Sequence, residues 1–178
     1  MVWYDQFHMS CIQRICEMEV PLWYSICMKK VFVSGTYDII HAGHIQFFKD
    51  ARALGDHLTV SFASKDVIAL SKKRHPSLPD SHKAIIIGSI RYVDKVVSSS
   101  DIDPVFDFVS HWKKEKPDVL VVTEDDRNAE KKRTLCKEYG VELVILPKHV
   151  SVEPVSTSSI LAGIKERAKN ESNSDRQV

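Results

Sequence analysis

Two histidines, His41 and His44, flank Ala42 and Gly43 in the stretch Val31-Phe-Val-Ser-Gly35-Thr-Tyr-Asp-Ile-Ile-His41-Ala-Gly-His44. A neutral imidazole donates a hydrogen bond to a phosphoryl oxygen, and an imidazolium also offsets its charge. At a spacing of i and i+3 the two rings can share one side of a first helical turn. Backbone N–H groups at such a turn are unpaired, and the helix dipole places roughly half a positive charge there. That is a site for an anion, most often phosphate. Gly35 and Gly43 let backbone approach a ligand closely. A lone histidine at a strand–helix turn is usually an ordinary surface residue; this pair, with these glycines, points to phosphate chemistry.

The elements that must hold the pair follow from the pattern on either side. Val31 to Val33 form an apolar β-branched run that reads as a buried strand, broken by Gly35. From Gly43 onward Ile45, Phe47, Phe48, Ala51 and Leu54 supply one helical face, and Gly55 is a natural stop. Residues 57–63 read as a second strand and 66–70 as a short helix. Residues 71–80, Ser-Lys-Lys-Arg-His-Pro-Ser-Leu-Pro-Asp, form a basic, proline-broken loop. In an open α/β fold that loop falls near the C-terminal edge of the sheet, where ligands bind. Lys72, Lys73 and Arg74 are there either a solvated run or the receivers of a phosphorylated substrate.

Residues 81–92 read as a helix with Ser81 as cap and Ala84, Ile85, Ile87 and Ile90 as its apolar stripe, leading into a third strand at 93–97. Asp103-Pro104 is an N-cap followed by proline at the first helical position, for a helix carrying Val105, Phe106, Phe108, Val109 and Trp112. Residues 117–123 make strand four. Glu124, Asp125 and Asp126 follow it, either as an acidic cap or as ligand contacts. Residues 128–139 are a basic amphipathic helix stopped by Gly140, and 141–146 the fifth strand. Strand and helix alternate without hairpin signals, so the sheet is parallel with right-handed crossovers. Ser156, Thr157 and Ser158 then cluster at the start of a helix running to about residue 169, an arrangement that caps a helix or builds a phosphate site.

Gly35-Thr-Tyr-Asp-Ile-Ile-His41-Ala-Gly-His44 resembles the signature of the cytidylyltransferase-like nucleotidyltransferases, whose hallmark is HxGH after a G-[TV]-[FY]-D turn. The resemblance spans about residues 30–164 and is closest to the glycerol-3-phosphate cytidylyltransferase group; heptose-phosphate and FMN adenylyltransferases share the signature. It implies a Rossmann-like open parallel five-stranded sheet flanked by helices. It also implies nucleotidyl transfer, in which a substrate phosphate attacks the α-phosphorus of a nucleoside triphosphate and pyrophosphate leaves. His41 and His44 would stabilise that charge, with Arg91 and Lys73 as phosphate neutralisers. Gly35, Thr36 and Tyr37 would line the floor, Asp38 would orient the turn, and Gly43 would admit the phosphate. Ser156, Thr157 and Ser158 resemble the end of the family's second signature, R-T-x-G-I-S-T-T, with Lys148 in place of its arginine and Pro154 in place of its glycine. Lys83 stands where many relatives carry a further arginine, and Thr123-Glu124-Asp125 where they carry a Gly-Asp-Asp-type turn. Mg²⁺ would arrive with the triphosphate, and no separate metal site is expected. Three readings compete: CTP with a small phosphorylated alcohol, ATP with a sugar phosphate or FMN, and a degenerate nucleotide sensor. Homodimers are usual in the family.

Composition bounds the rest. The chain has 178 residues, 43% hydrophobic, enough for one α/β domain. A net charge of +1 and a pI of about 7.7 give no sign of nucleic acid or an anionic membrane as partner. No apolar run spans a bilayer. Cys11, Cys16, Cys27 and Cys136 form no CxxC pair, which disfavours a disulfide scaffold or zinc site and suits the reducing cytoplasm. Residues 1–27 lack the basic start and clean apolar core of a signal peptide. Met28-Lys-Lys-Val-Phe-Val reads as an N-terminus entering a first strand, so residues 1–27 are expected to be an upstream extension, the alternative being a partner-docking or membrane-surface arm. The domain is expected at 28–170, with a polar tail at 171–178.

Overall fold

A computed structural model describes residues 28–103, 105–148 and 156–174. The expected extension at 1–27, Pro104 and Pro154 lie outside the described residues. Five strands form one parallel sheet: β1 (Lys30–Gly35), β2 (His57–Ala63), β3 (Lys95–Ser99), β4 (Val119–Thr123) and β5 (Glu142–Leu146), in the order β3-β2-β1-β4-β5. Among the described residues six helices connect and flank them: α1 (Ala42–Arg52), α2 (Lys65–Lys72), α3 (Asp80–Gly88), α4 (Val109–Glu115), α5 (Ala129–Tyr139) and α6 (Thr157–Ser174). The fold is α/β and Rossmann-like. No helix among the described residues is long and apolar enough to cross a membrane.

The central strands are buried on both faces, as parallel strands under two helical layers must be. Val31 and Val33 of β1 face one core with Val119 and Val121 of β4, Phe48 and Ala51 of α1, and Ile87 of α3. Phe32 points the other way and joins Leu120, Phe108, Trp112 and Cys136. Each such large apolar side chain contributes about 1.5–3 kcal/mol when fully buried. Strand order grows from β1 to β2 and β3 on one side, then returns to β4 and β5 on the other. The reversal leaves a crevice at the C-terminal ends of β1 and β4, where ligands of open α/β sheets bind.

Several boundaries differ from the sequence reading. Helix α3 begins at Asp80, with Pro79 rather than Ser81 as cap, and ends at Gly88 rather than residue 92. Ile87 is its buried contact, whereas Ile85 is 68% exposed because it lies off the face that meets the sheet. Residues 105–108 form turns before α4: the Asp103 carboxylate accepts from Val105 N (2.7 Å) and Phe106 N (3.0 Å), capping a turn instead of a helix. Helix α6 runs to Ser174, past the polar tail expected from residue 171.

Candidate active site

The site is assembled where β1 ends. Tyr37 adopts a left-handed backbone, φ 43°, which folds its ring back over Gly35. A Cβ on Gly35 would lie 2.7 Å from Tyr37 Cζ, so only glycine fits beneath the ring. The ring meets Phe48 edge-on at a centroid distance of 5.0 Å and His44 at 5.2 Å. Burial, with Asp126 nearby, pushes the Tyr37 hydroxyl far up, so it stays neutral.

Asp38 is buried and ties a distant loop to this turn. Its Oδ2 accepts from Arg74 Nη1 (2.6 Å) and Ser77 Oγ (2.9 Å), and its Oδ1 accepts from Ser77 N (2.8 Å). Burial alone would raise the carboxyl; the bonds from Arg74 and Ser77 and the guanidinium charge outweigh it and hold Asp38 below the usual carboxylate range. The basic loop after α2 is thereby pinned over the crevice.

His41 is the N-cap of α1 and makes no side-chain cap bond, which leaves amides of the first turn open to a ligand. The His41 and His44 rings lie face to face, centroids 3.9 Å apart and planes 30° apart. A Cβ at Gly43 would come within 3.1 Å of the His41 ring. Both Nδ1 atoms are buried with no partner among the described residues. Burial, then the neighbouring His41, pushes His44 down to about 4. Burial, then the Lys148 charge, lowers His41. Both imidazoles are therefore neutral near pH 7 in the unliganded protein.

A second helix start meets this one. Thr157 Oγ1, in the first turn of α6, donates to the Ile39 carbonyl just before α1 at 3.4 Å. Ser156 and Ser159 cap α6 reciprocally: Ser156 N donates to Ser159 Oγ (2.9 Å) and Ser159 N to Ser156 Oγ (3.1 Å). Between the two helix starts lies a cavity of about 470 Å³. Gly35, Thr36, Tyr37, His41, Gly43 and His44 line it from the β1–α1 side, and Ser156, Thr157 and Ser158 from α6. Lys72, Arg74 and Lys148 bring positive charge to its walls. Asp125 also lines it: it accepts from Thr123 Oγ1 (2.6 Å) and pairs with Lys148 Nζ. Lys148 first, then Thr123, holds its carboxyl below the usual range.

Three of the expected phosphate residues are not at this cavity. Arg91 lies near the opposite edge of the sheet, three residues before Asp94, whose N–H bonds to Leu58 O at the start of β2. Its guanidinium stacks on Tyr92, 4.8 Å from the ring centre, and Nη2 donates to Tyr92 OH. Lys83 is 1% exposed; its ammonium donates to Ala63 O (2.6 Å), pairs with Asp80 (2.8 Å) and lies over the Phe62 ring, so it is a structural tie between α3 and β2. Lys73 is the left-handed C-cap of α2, exposed and outside the cavity lining, while its neighbours Lys72 and Arg74 are part of that lining. Which of the three adjacent basic side chains faces the cavity is decided by where α2 ends, at Lys72. Phe47 and Asp50, which the sequence reading did not place in the site, also line the cavity; Phe47 lies three residues after His44 and Asp50 three after Phe47, a spacing that makes each a neighbour of the last on the helix surface.

Comparison with known proteins identifies the family. The chain matches the cytidylyltransferase-like family over residues 32–163. It is 36% identical to the FAD synthase of Pyrococcus horikoshii over 140 residues, covering 77% of this chain and 93% of that one. It is 31% identical to the glycerol-3-phosphate cytidylyltransferase of Bacillus subtilis over 143 residues, covering 77% of this chain and all of the relative. In fold it resembles a lipopolysaccharide core biosynthesis protein from Thermoplasma volcanium, with TM-score 0.57 and 24% identity over 67% of this chain and 95% of that one. The chain belongs to the cytidylyltransferase-like family and is a nucleotidyltransferase.

Proposed function

We propose that the protein transfers a nucleotidyl group from a nucleoside triphosphate to a small phosphorylated acceptor and releases pyrophosphate. One observation carries the reading: the Thr157–Ile39 bond brings two helix starts together beside a stacked pair of neutral imidazoles. Open amides, hydroxyls and three cations there suit a polyphosphate. A phosphate oxygen of the acceptor attacks the α-phosphorus in line, and the bond to the β-phosphate bridging oxygen breaks. That attacking oxygen is already ionised at pH 7, so no general base is needed. Catalysis is then positioning and charge stabilisation. His41 and His44 donate to oxygens that gain charge, Lys72, Arg74 and Lys148 neutralise the chain of phosphates, and Thr157 and Ser158 hold its far end. Asp38 positions Arg74 and takes no proton. The Mg²⁺ that accompanies a triphosphate belongs to the substrate and is ligated by its oxygens and water.

CTP with a phosphorylated alcohol such as glycerol 3-phosphate is the main reading, supported by the Bacillus subtilis relative. ATP with FMN or a sugar phosphate is supported equally by the Pyrococcus horikoshii relative. Pyrophosphate release from each of the four nucleoside triphosphates, paired with glycerol 3-phosphate, FMN and a heptose phosphate, decides between them. Release from CTP and glycerol 3-phosphate is the expected outcome, and release from ATP and FMN establishes the second reading. Nucleotide binding without release from any pair overturns both.

A further inference from the structure

The cavity does not end at the imidazoles. On α1 it is lined by Gly43, His44, Phe47 and Asp50, and on α6 by Thr157, Ser158 and Leu161. These positions recur every three or four residues, so each set lies on one helical face. The cavity therefore continues as a trough between α1 and α6, and from His44 to Asp50 it descends about 9 Å. Its lower walls are apolar, Phe47 and Leu161. At its foot is a carboxylate.

Asp50 differs from the other acids near the phosphate end. Asp38 is paired with Arg74, and Asp125 with Lys148. Asp50 has no cationic partner among the described residues; its Oδ1 accepts from Gln46 Nε2 at 2.8 Å, and its other oxygen is open. An uncompensated carboxylate repels phosphate, so this end of the trough is built for something else. It accepts N–H or O–H donors. Apolar walls ending in such an acceptor fit a nucleobase. The two triphosphates favoured above, CTP and ATP, share one donor that UTP and GTP lack at the same ring position: an exocyclic amino group beside a ring nitrogen.

We propose that Asp50 accepts a hydrogen bond from the exocyclic amino group of the bound nucleotide's base, with Phe47 and Leu161 as the walls of the base slot. Asp50 is then a specificity-determining residue. The inference rests on the nucleotidyltransferase reading of the cavity, but its test needs no turnover. Binding of the preferred triphosphate, ATP or CTP, is measured by calorimetry against its amino-deleted analogue, the purine or 2-pyrimidinone riboside triphosphate. Both are titrated into the wild-type protein and Asp50→Ala. Hydrogen bonds to charged groups are worth about 10- to 100-fold in affinity. The wild type should lose that factor when the amino group is deleted. Asp50→Ala should bind the parent nucleotide weaker by a similar factor and lose little more with the analogue. If the melting temperature shows that Asp50→Ala does not fold, Asp50→Asn keeps the shape and weakens the acceptor, and the same coupling should shrink. A wild type indifferent to the amino group, or a variant as sensitive as the wild type, overturns the proposal. So does a variant whose only defect is a raised KM for the acceptor. If coupling is present but no acceptor yields pyrophosphate, the base slot stands and the transfer reading fails. If pyrophosphate is released without coupling, the reverse holds.

Discussion

Gly35→Ala is the sharpest test of how the turn holds the imidazoles. The added methyl would sit 2.7 Å from Tyr37 Cζ and 3.0 Å from Cε1 and Cε2. The Tyr37 ring cannot simply retreat, because Phe48 and His44 press on it edge-on at 5.0 and 5.2 Å. Overpacking of this kind costs about 1–3 kcal/mol. For a domain of this size that lowers Tm by about 2–12 °C. The kinetic effect should be larger. A ring pushed off Gly35 pushes His44, and a catalytic group misplaced by about 1 Å loses about 100-fold in rate. Thermal melts and pyrophosphate release measure the two effects separately. The clash belongs to the pair, so Tyr37→Ala should absorb it. Adding Gly35→Ala to Tyr37→Ala should then cost almost nothing further in Tm, a strongly non-additive cycle. A Gly35→Ala protein as stable and as active as the wild type would refute the packing argument. Additive costs in the double variant would place the damage elsewhere.

Arg74→Ala should raise the KM of a phosphorylated substrate at least about tenfold and lower Tm, since it also strands the buried Asp38 carboxylate; Arg91→Ala, near the far edge of the sheet, should leave both kinetic constants unchanged in the same assay. Lys83→Met should destabilise by about 1–3 kcal/mol in urea, by leaving the Ala63 carbonyl without its donor and Asp80 without its cationic neighbour, while KM for nucleotide stays put. His44→Ala should cut turnover about 100- to 1,000-fold with far-ultraviolet dichroism intact. The same variant should flatten the acid limb of stability. His44 is held near 4 against about 6.5 in the unfolded chain, so the unfolded state binds the extra proton between those values. Wild-type stability is therefore full above about pH 6.5 and falls by about 2–3 kcal/mol on acidification to pH 4; urea unfolding across that range should show the slope in the wild type and a much smaller one, due to His41, in the variant.

The strands were readable because periodicity reports burial on both faces: Val31-Phe-Val and Val119-Leu-Val-Val stand out as uninterrupted apolar runs, and they are the central pair of the sheet. The helix start at His41 was readable because glycine, histidine and a following apolar face carry local information. Less legible was which way particular long side chains turn. Arg91 and Lys83 both fall in a helical reading of 81–92. The helix stops at Gly88, so Arg91 lies beyond it near the wrong edge, and Lys83 lies on the buried face because Ala63 O offers its ammonium a bond there. In the basic run 72–74 the end of α2 at Lys72 turns Lys73 out and leaves Arg74 to be caught by Asp38. That partner is 36 residues away in the chain, and no local pattern announces it.

The neutrality of the imidazole pair has a consequence for the proposed reaction. Two rings 3.9 Å apart cannot both hold a proton cheaply, and Lys148 opposes protonation of His41. The attraction for an anion must therefore come from the helix ends and from Lys72, Arg74 and Lys148. The histidines add most where negative charge grows. A neutral imidazole N–H donates a hydrogen bond that strengthens as its acceptor oxygen gains charge. Its interaction thus strengthens between the bound triphosphate and the five-coordinate phosphorus, whereas the lysines and Arg74 bind both alike. Only the first kind of interaction raises kcat. In the proposed reaction the division of labour follows from burial: the cations of the cavity wall hold the substrate, and the desolvated rings respond to the developing charge.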